Sequence, residues 1–126
     1  MGVVYYRELK VWQKAMDLAK EVYRITFKLP KNETYALANQ MQRAAVSIAS
    51  NIAEGQSRNS TKEFVNFLSI ARGSKAELET QLLLCREIGY LADTDIETAM
   101  GLLAEISKMI ASITKALKHT VTQYIS

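Results

Sequence analysis

A polar stripe on the second of the predicted helices has the residue types of a binding site. At helical spacing its members fall within roughly 100° of one another, and they are Gln40, Arg43, Ser47, Ser50, Asn51 and Glu54. Amide, hydroxyl and guanidinium groups on one face can hydrogen-bond a ligand or a nucleic acid. The same stripe also fits the solvated side of an amphipathic helix, or a polar seam satisfied by neighbouring helices. Asn51 and Glu54 stand near the helix end, where capping or a pair with Arg58 or Arg72 would use them.

Five cations on the first predicted helix suggest a second kind of chemistry, which is the binding of phosphates. They fall within roughly 120° over about four turns, at Lys10, Lys14, Lys20, Arg24 and Lys28. Arg43 and Arg58 could extend this strip. Several phosphates of a nucleic-acid strand could meet it, although Asp17 and Glu21 interrupt it. A solvated helix face is the alternative interpretation.

Catalysis, by contrast, lacks its usual residues. His119 is the only histidine, which excludes the Glu-x-x-His pairs of di-iron bundles and leaves no Ser–His or Cys–His dyad in the core. No Arg lies four to six residues before His119, as a helical ribonuclease of the R-x4–6-H type requires. Cys85 has helical spacing from Leu78 and Leu82, which indicates a small core residue. The sequence predicts a non-enzymatic protein with no cofactor, no metal site and no small-molecule substrate.

Four segments of apolar periodicity predict the helices that must position these residues. The segments span about 7–28, 33–54, 61–88 and 95–118. Their N-terminal signals are Asn32 as an N-cap, and the capping boxes Ser60–Glu63 and Thr94–Glu97. Short loops make neighbouring helices antiparallel, so the predicted fold is all-α, an antiparallel up-down-up-down four-helix bundle in a single domain, 1–126. The tail beyond residue 118 loses the pattern and is expected to fray.

The second helix carries the least side-chain bulk. No residue between Arg43 and Glu54 is charged, and Ala and Ser recur through the segment. Other helices can therefore approach its backbone closely, with Ala45 and Ala49 expected at the contact. Gly55 is expected to close the helix in the left-handed conformation that glycine adopts most readily.

The first helix carries more apolar surface than one bundle core needs. One stripe comprises Val11, Ala15, Leu18, Val22, Ile25 and Leu29. A second stripe beside it comprises Leu9, Trp12, Met16, Ala19, Tyr23 and Thr26. Together they span roughly 200° of the helix, about twice what a small bundle covers. The surplus predicts a second contact surface and therefore self-association.

These segments also resemble a known family. Gln40 to Gly55 reads Q-x-x-R-A-A-x-S-I-A-x-N-I-A-E-G, Ala71 to Glu79 reads A-R-G-S-x-x-E-L-E, and Leu9 to Ala19 reads L-x-V-W-Q-K-A-x-D-L-A. Over roughly residues 7–118 this order is similar to that of the bacterial four-helix-bundle proteins encoded in intervening sequences of 23S rRNA genes. The motif residues, read as packing positions, are Ala45, Ser47, Ile48, Asn51, Ile52, Ala53, Glu54 and Gly55. The resemblance implies a ring-like homo-oligomer, with a pentamer as the expected form, and no established catalytic residues.

Composition bears on location and partners. No run of 18 apolar residues is present, and the N-terminal residues lack the apolar stretch of a signal peptide, so a cytoplasmic protein without a membrane partner is expected. The net charge of +3 is unevenly divided. Residues 1–76 hold twelve basic and six acidic side chains, and residues 77–126 hold four and seven. This split is a weak indication of an anionic partner, or of subunits that attract one another.

Two functions remain open at this point. The first is an oligomeric, non-enzymatic bundle that binds RNA or another nucleic acid through the basic face of the first helix. The alternative is a protein–protein interaction module without nucleic-acid affinity. The two differ in salt dependence, because counterion release makes nucleic-acid affinity fall steeply with salt.

Overall fold

The chain forms four long helices that follow one another through short connections. The computed structural model describes residues 5–125, with side chains described as far as residue 119. Its elements are a 3-10 turn at Tyr6–Glu8, α1 at Lys10–Thr26, a 3-10 turn at Lys31–Glu33, α2 at Leu37–Gln56, α3 at Thr61–Glu87 and α4 at Asp93–Ile125. Within residues 5–125 there is no strand.

The four helices close into a ring of neighbours around one core. The neighbouring helix pairs are α1–α2, α2–α3, α3–α4 and α1–α4, whereas the backbones of the diagonal pairs α1–α3 and α2–α4 lie farther apart. Cys85 contacts Met41 at 3.7 Å between sulfur atoms, and Ser74 contacts Ser47 at 2.8 Å between hydroxyl oxygens. Residue numbers rise along α2 as they fall along α3, so these two helices run in opposite directions. The predicted all-α bundle is confirmed.

Each helix supplies one apolar stripe to the common core. The largest fully buried side chains are Leu18, Val22 and Ile25 from α1, Met41, Ile48 and Ile52 from α2, Leu68, Leu78 and Leu82 from α3, and Leu103, Ile106 and Ile110 from α4. Removing such a side chain from water contributes about 1.5–3 kcal/mol. These stripes recur at three- and four-residue steps, which is why the sequence predicts the helices so directly.

The start of α2 differs from the expectation. Asn32 is not its N-cap, because residues 31–33 form a separate 3-10 turn and α2 begins at Leu37. The carboxylate of Glu33 accepts a hydrogen bond from the backbone N–H of Leu37 at 3.3 Å. A side chain four residues upstream therefore satisfies a helix-terminal donor that the prediction assigned to Asn32.

The ends of α3 and α4 are partly as expected. Ser60 caps α3 by accepting a hydrogen bond from the N–H of Glu63, and Gly89, at φ 87°, ends that helix. The predicted Thr94–Glu97 capping box is wrong, because α4 already begins at Asp93. Asp95 instead accepts a hydrogen bond from the N–H of Ala92 at 2.8 Å. α4 continues to Ile125, beyond the predicted helix end at residue 118.

Gly55 has a different role from the predicted left-handed cap. α2 continues through Gly55 to Gln56, and the only residue with positive φ in the described chain is Gly89. A Cβ atom at Gly55 would lie 2.6 Å from Cβ of Phe67 and 3.0 Å from the ring of Phe64. Glycine is therefore required because α3 lies directly against this part of α2. Ala45 and Ala49 are buried as expected.

Replacing Gly55 with Ala should destabilise the bundle by about 1–3 kcal/mol, because the Cβ of Phe67 is fixed to its backbone and cannot move aside. Gly101→Ala is the matched control. No atom lies within 4 Å of its added Cβ, so the change should stabilise the exposed helix interior by up to about 1 kcal/mol. Urea denaturation midpoints measure both effects. Equal midpoint shifts in the two variants would contradict the close approach at Gly55.

Candidate functional site

The surface of the bundle divides into four long faces, each formed by two neighbouring helices. A side chain that points away from the core, toward one neighbour, lies on the face shared with that neighbour. The described cross-helix contacts identify which flank of each helix faces which neighbour. The four faces differ sharply in character, and this difference determines what each could bind.

The predicted phosphate-binding cations of α1 lie on the α1–α4 face, where carboxylates meet them. Nζ of Lys14 is 3.0 Å from Glu105, and Nζ of Lys28 is 2.6 Å from Asp95. Both pairs cross from α1 to α4. They also run in opposite directions along the two helices, which confirms that α1 and α4 are antiparallel.

The remaining cations of this face have local partners or none. Arg24 donates two hydrogen bonds to Glu21, at 2.9 and 2.6 Å, and Lys20 lies 3.5 Å from Asp17. These hydrogen bonds from Arg24 lower the pKa of Glu21. Among the described residues, Lys10 has no carboxylate within ion-pair distance. The face is therefore a row of ion pairs rather than an unbroken cationic strip.

Arg43 and Arg58 do not extend that row. Arg43 lines a groove between α2 and α3, with Glu77 on the opposite wall. Arg58 follows α2, where its guanidinium lies 3.1 Å from Glu54 and 5.0 Å above the ring of Phe67. The seven predicted nucleic-acid contacts therefore lie in three places. The expected pair between Glu54 and Arg58 is present.

The polar stripe of α2 lies on the α2–α3 face and is largely satisfied within the protein. Ser47 bonds with Ser74, and Asn51 donates to the backbone carbonyl of Ser47 at 2.8 Å and to its hydroxyl at 3.0 Å. These contacts match the polar-seam interpretation. Gln40, with Ser47, lines the groove of about 590 Å³ that also contains Arg43, and Ser50 is exposed.

The motif residues of α2 mainly hold the helix in place. Ala45, Ile48 and Ile52 are completely buried, and Ala53 is half-buried. With Gly55 they give α2 a surface of small side chains, which α1, α3 and both 3-10 turns contact. Packing therefore accounts for most of this segment.

Two faces carry exposed apolar side chains. On the α1–α2 face, Met16, Tyr23 and Val46 are exposed, next to half-buried Trp12 and Ala19. The hydrogen bond from Gln42 to Thr26, at 3.0 Å, identifies this side of α1 as the one that meets α2. The second apolar stripe predicted on α1 is thus only partly covered within one chain.

The α2–α3 face has its own apolar residues, which the sequence reasoning did not single out. Leu84 and Ile88 are about half exposed, as is Ile70, and Tyr35 is 92% exposed. The hydrogen bond from Tyr90 to Glu33, at 2.9 Å, joins the end of α3 to the turn before α2. It places Leu84 and Ile88 at the same end of the bundle as Tyr35.

The α3–α4 face carries a cationic cluster that was also missed. Its basic side chains line two adjoining grooves, and they are Lys62, Arg72, Lys115 and Lys118. A signal existed in the sequence, because Lys115 and Lys118 stand three residues apart at helical spacing. The residues come from two helices distant in sequence, so only the fold brings Arg72 beside them.

Groups typical of metal sites or of nucleophilic catalysis are scarce among the described residues. Within the described residues, no group of three His, Cys, Asp or Glu side chains could hold a metal ion. Burial raises the pKa of the Cys85 thiol, which is the state of a packing residue rather than a nucleophile. Among those residues, too, no helix is long and apolar enough to span a membrane.

The pKa of Asp95 provides a test of the ion pairs on the α1–α4 face. Hydrogen bonds from Lys28 and from the N–H of Ala92 hold this pKa below its ordinary value. A lowered carboxyl pKa stabilises the fold above the unfolded pKa, and the gain is lost as pH falls through the folded one. Lys28→Met should raise the pKa of Asp95 in an NMR titration, whereas Lys10→Met should not. An unchanged value in Lys28→Met would mean that the pair does not persist in solution.

Comparison with known proteins agrees with the geometry. The family model described as 23S rRNA-intervening sequence protein matches residues 7–112. A crystal structure from Bacteroides thetaiotaomicron, described as a protein with unknown function from the S23 ribosomal protein family, superposes with a TM-score of 0.76 at 29% identity, covering 83% of this chain and 98% of that one. The comparison with curated proteins returns no match. The four-helix bundle and this match together show that the chain belongs to the 23S rRNA-intervening sequence protein family.

Proposed function

We propose that this protein is a non-enzymatic module that self-associates, with the α1–α2 face of one copy packed against the α2–α3 face of the next. The observation that carries the proposal is the apolar stripe on α1 that its own bundle leaves exposed, including Met16 and Tyr23. Contiguous apolar surface of this kind is uncommon on soluble monomers and marks interaction sites.

The dimensions suit a stable interface. α1 has 17 residues, so the face is about 26 Å long, and two adjacent helices make it about 20 Å wide. A face of this size can bury roughly the 800 Å² per partner of a standard protein interface. The aromatic and thioether side chains Tyr23 and Met16 are types that interface cores favour.

The relative direction of the two apolar faces favours a closed ring. They share α2 and therefore point about 90° apart in a four-cornered bundle. When two different faces join head to tail, the copies form a ring if the rotation closes. The two neighbours of a subunit lie about 90° apart in a ring of four and about 108° apart in a ring of five. The proposed assembly is thus a tetramer or a pentamer, and the family resemblance favours five.

Nucleic-acid binding through α1 stays a prediction. Lys20 and Arg24 remain more than half exposed, so phosphates could reach them. Each paired cation would have to exchange a carboxylate for a phosphate, however, which reduces the net gain in electrostatic energy. The ion pairs therefore favour the alternative hypothesis for this face, in which the module contacts proteins alone.

Charge introduced into either apolar face should break the ring. Tyr23→Glu on the α1–α2 face and Leu84→Glu on the α2–α3 face should each give a monomer, because a buried unpaired carboxylate strongly opposes association. Ser112→Glu, an exposed position on α4 outside both faces, adds the same charge and should leave the assembly intact. Light scattering at about 50 µM measures the mass of each variant.

Mixing the two variants sharpens the test. Each keeps one intact face, so a mixture should contain a dimer of one Tyr23→Glu chain and one Leu84→Glu chain, and nothing larger. A symmetric interface that uses the α1–α2 face twice would leave Leu84→Glu dimeric and would give no mixed species. Either that result or a monomeric unaltered protein would overturn the proposal.

A further inference from the structure

Cations line the surface grooves of the α3–α4 face, and the described lining residues of these grooves include no Asp or Glu. Two adjoining grooves, of about 340 and 420 Å³, share Arg72, Thr114 and Lys118. The other described lining residues are Lys62, Val65, Asn66 and Ser69 in one groove, and Ser107, Ala111 and Lys115 in the other. None of them is Asp or Glu. A third groove that shares Lys62 and Asn66 includes Glu63, which follows Lys62 in the chain.

This arrangement differs from that of the α1–α4 face. There, four of the five cations lie within 3.5 Å of a carboxylate. Arg72 and Lys115 have no carboxylate within 4.0 Å in the described part of the chain. Several cations in a concave surface raise the local positive potential and concentrate anions there.

Hydrogen-bond donors accompany the cations. Thr114 lies where the two grooves meet, and its hydroxyl is buried with no hydrogen-bond partner in the described structure. A buried hydroxyl without a partner is costly and uncommon in proteins. A ligand oxygen that reached this hydroxyl would satisfy it. Asn66 and Ser69 add further donors along the same wall.

We propose that the α3–α4 face binds the sugar–phosphate backbone of a single-stranded nucleic acid without reading its sequence. Lys62 and Arg72 are ten residues apart on α3, which is about 15 Å along the helix. Two packed helices lie about 8–10 Å apart, so the groove between them has room for one strand. The described lining residues include no aromatic ring, so the grooves offer no platform for stacking bases.

A membrane surface fits this face less well. Peripheral membrane binding needs large apolar side chains beside the cations, whereas the exposed side chains of Met16, Tyr23, Leu84 and Ile88 lie on the other faces described above. The α3–α4 face is opposite the α1–α2 face, and it is neither of the two faces proposed to join copies. Binding there stands independently of self-association.

The test measures the affinity of two charge-reversal variants for a labelled twelve-nucleotide oligouridylate by fluorescence anisotropy. The unaltered protein should bind with a salt slope of about −2 to −3, because three or four contacts contribute about 0.7 each for a single strand. Arg72→Glu with Lys115→Glu should reduce affinity at least tenfold at about 50 mM salt. It should also flatten the slope by about 1.4.

The comparison pair is Lys10→Glu with Lys20→Glu on the α1–α4 face, which is the competing site that the sequence predicts for the same ligand. It changes the net charge by the same amount at two exposed positions, and its affinity should stay within about threefold of the original. Circular dichroism and light scattering must show unchanged helicity and mass for both variants. Arg72→Gln with Lys115→Gln removes the two positive charges without reversing them. This variant should also lose affinity, but less than the charge reversal does.

Four results would overturn the proposal. The unaltered protein fails to bind the oligonucleotide at about 50 mM salt. Both reversals reduce affinity equally, so net charge alone accounts for binding. The comparison pair loses more affinity than the α3–α4 pair, which would assign the contact to α1. Finally, a polyglutamate peptide of matched charge competes as well as unlabelled oligouridylate, which would make this a site for acidic peptides.

Discussion

Burial of a single apolar stripe per helix is the constraint on which the rest of this structure depends. A helix at the corner of a four-helix bundle directs only about a third of its side chains toward the common axis. The remaining side chains fall on the two faces that the helix shares with its neighbours. α1 has a second apolar stripe that the core has no room for, and the surplus remains on the surface at Met16 and Tyr23. The second apolar stripe of α1 therefore gives the whole bundle an apolar face that its own chain does not cover.

The charged residues are distributed by the same geometry. Antiparallel packing brings the N-terminal part of α4 beside the C-terminal part of α1, where Asp95 meets Lys28. It also brings the C-terminal part of α4 beside the N-terminal half of α3, where cations lie next to cations. Surface ion pairs contribute little stability, so their main consequence is electrostatic. The ion pairs neutralise much of the positive charge on the α1–α4 face, whereas the C-terminal part of α4 that faces α3 stays positive. The two candidate surfaces for an anionic partner therefore differ in charge.

The sequence predicted the parts of this structure that depend on local periodicity. Four apolar repeats predicted four helices, and Ser60 correctly marked the start of α3. The helix starts at Leu37 and Asp93 were missed because side chains at other positions, Glu33 and Asp95, satisfy the backbone donors there. Gly55 was misread because its requirement comes from α3, and a single helix contains no information about its neighbour. The cationic cluster was missed for the same reason, since Arg72 and Lys115 are 43 positions apart in the chain.

The central claim is that two different faces of the bundle meet when copies associate. The most direct measurement is an isotope-filtered methyl NOE experiment on a mixture of two differently labelled samples. Intermolecular NOEs should connect Met16 or Val46 of one copy to Leu84 or Ile88 of another. Intermolecular NOEs confined to pairs of residues on the α1–α2 face would contradict it, because they would show a symmetric dimer in place of a ring.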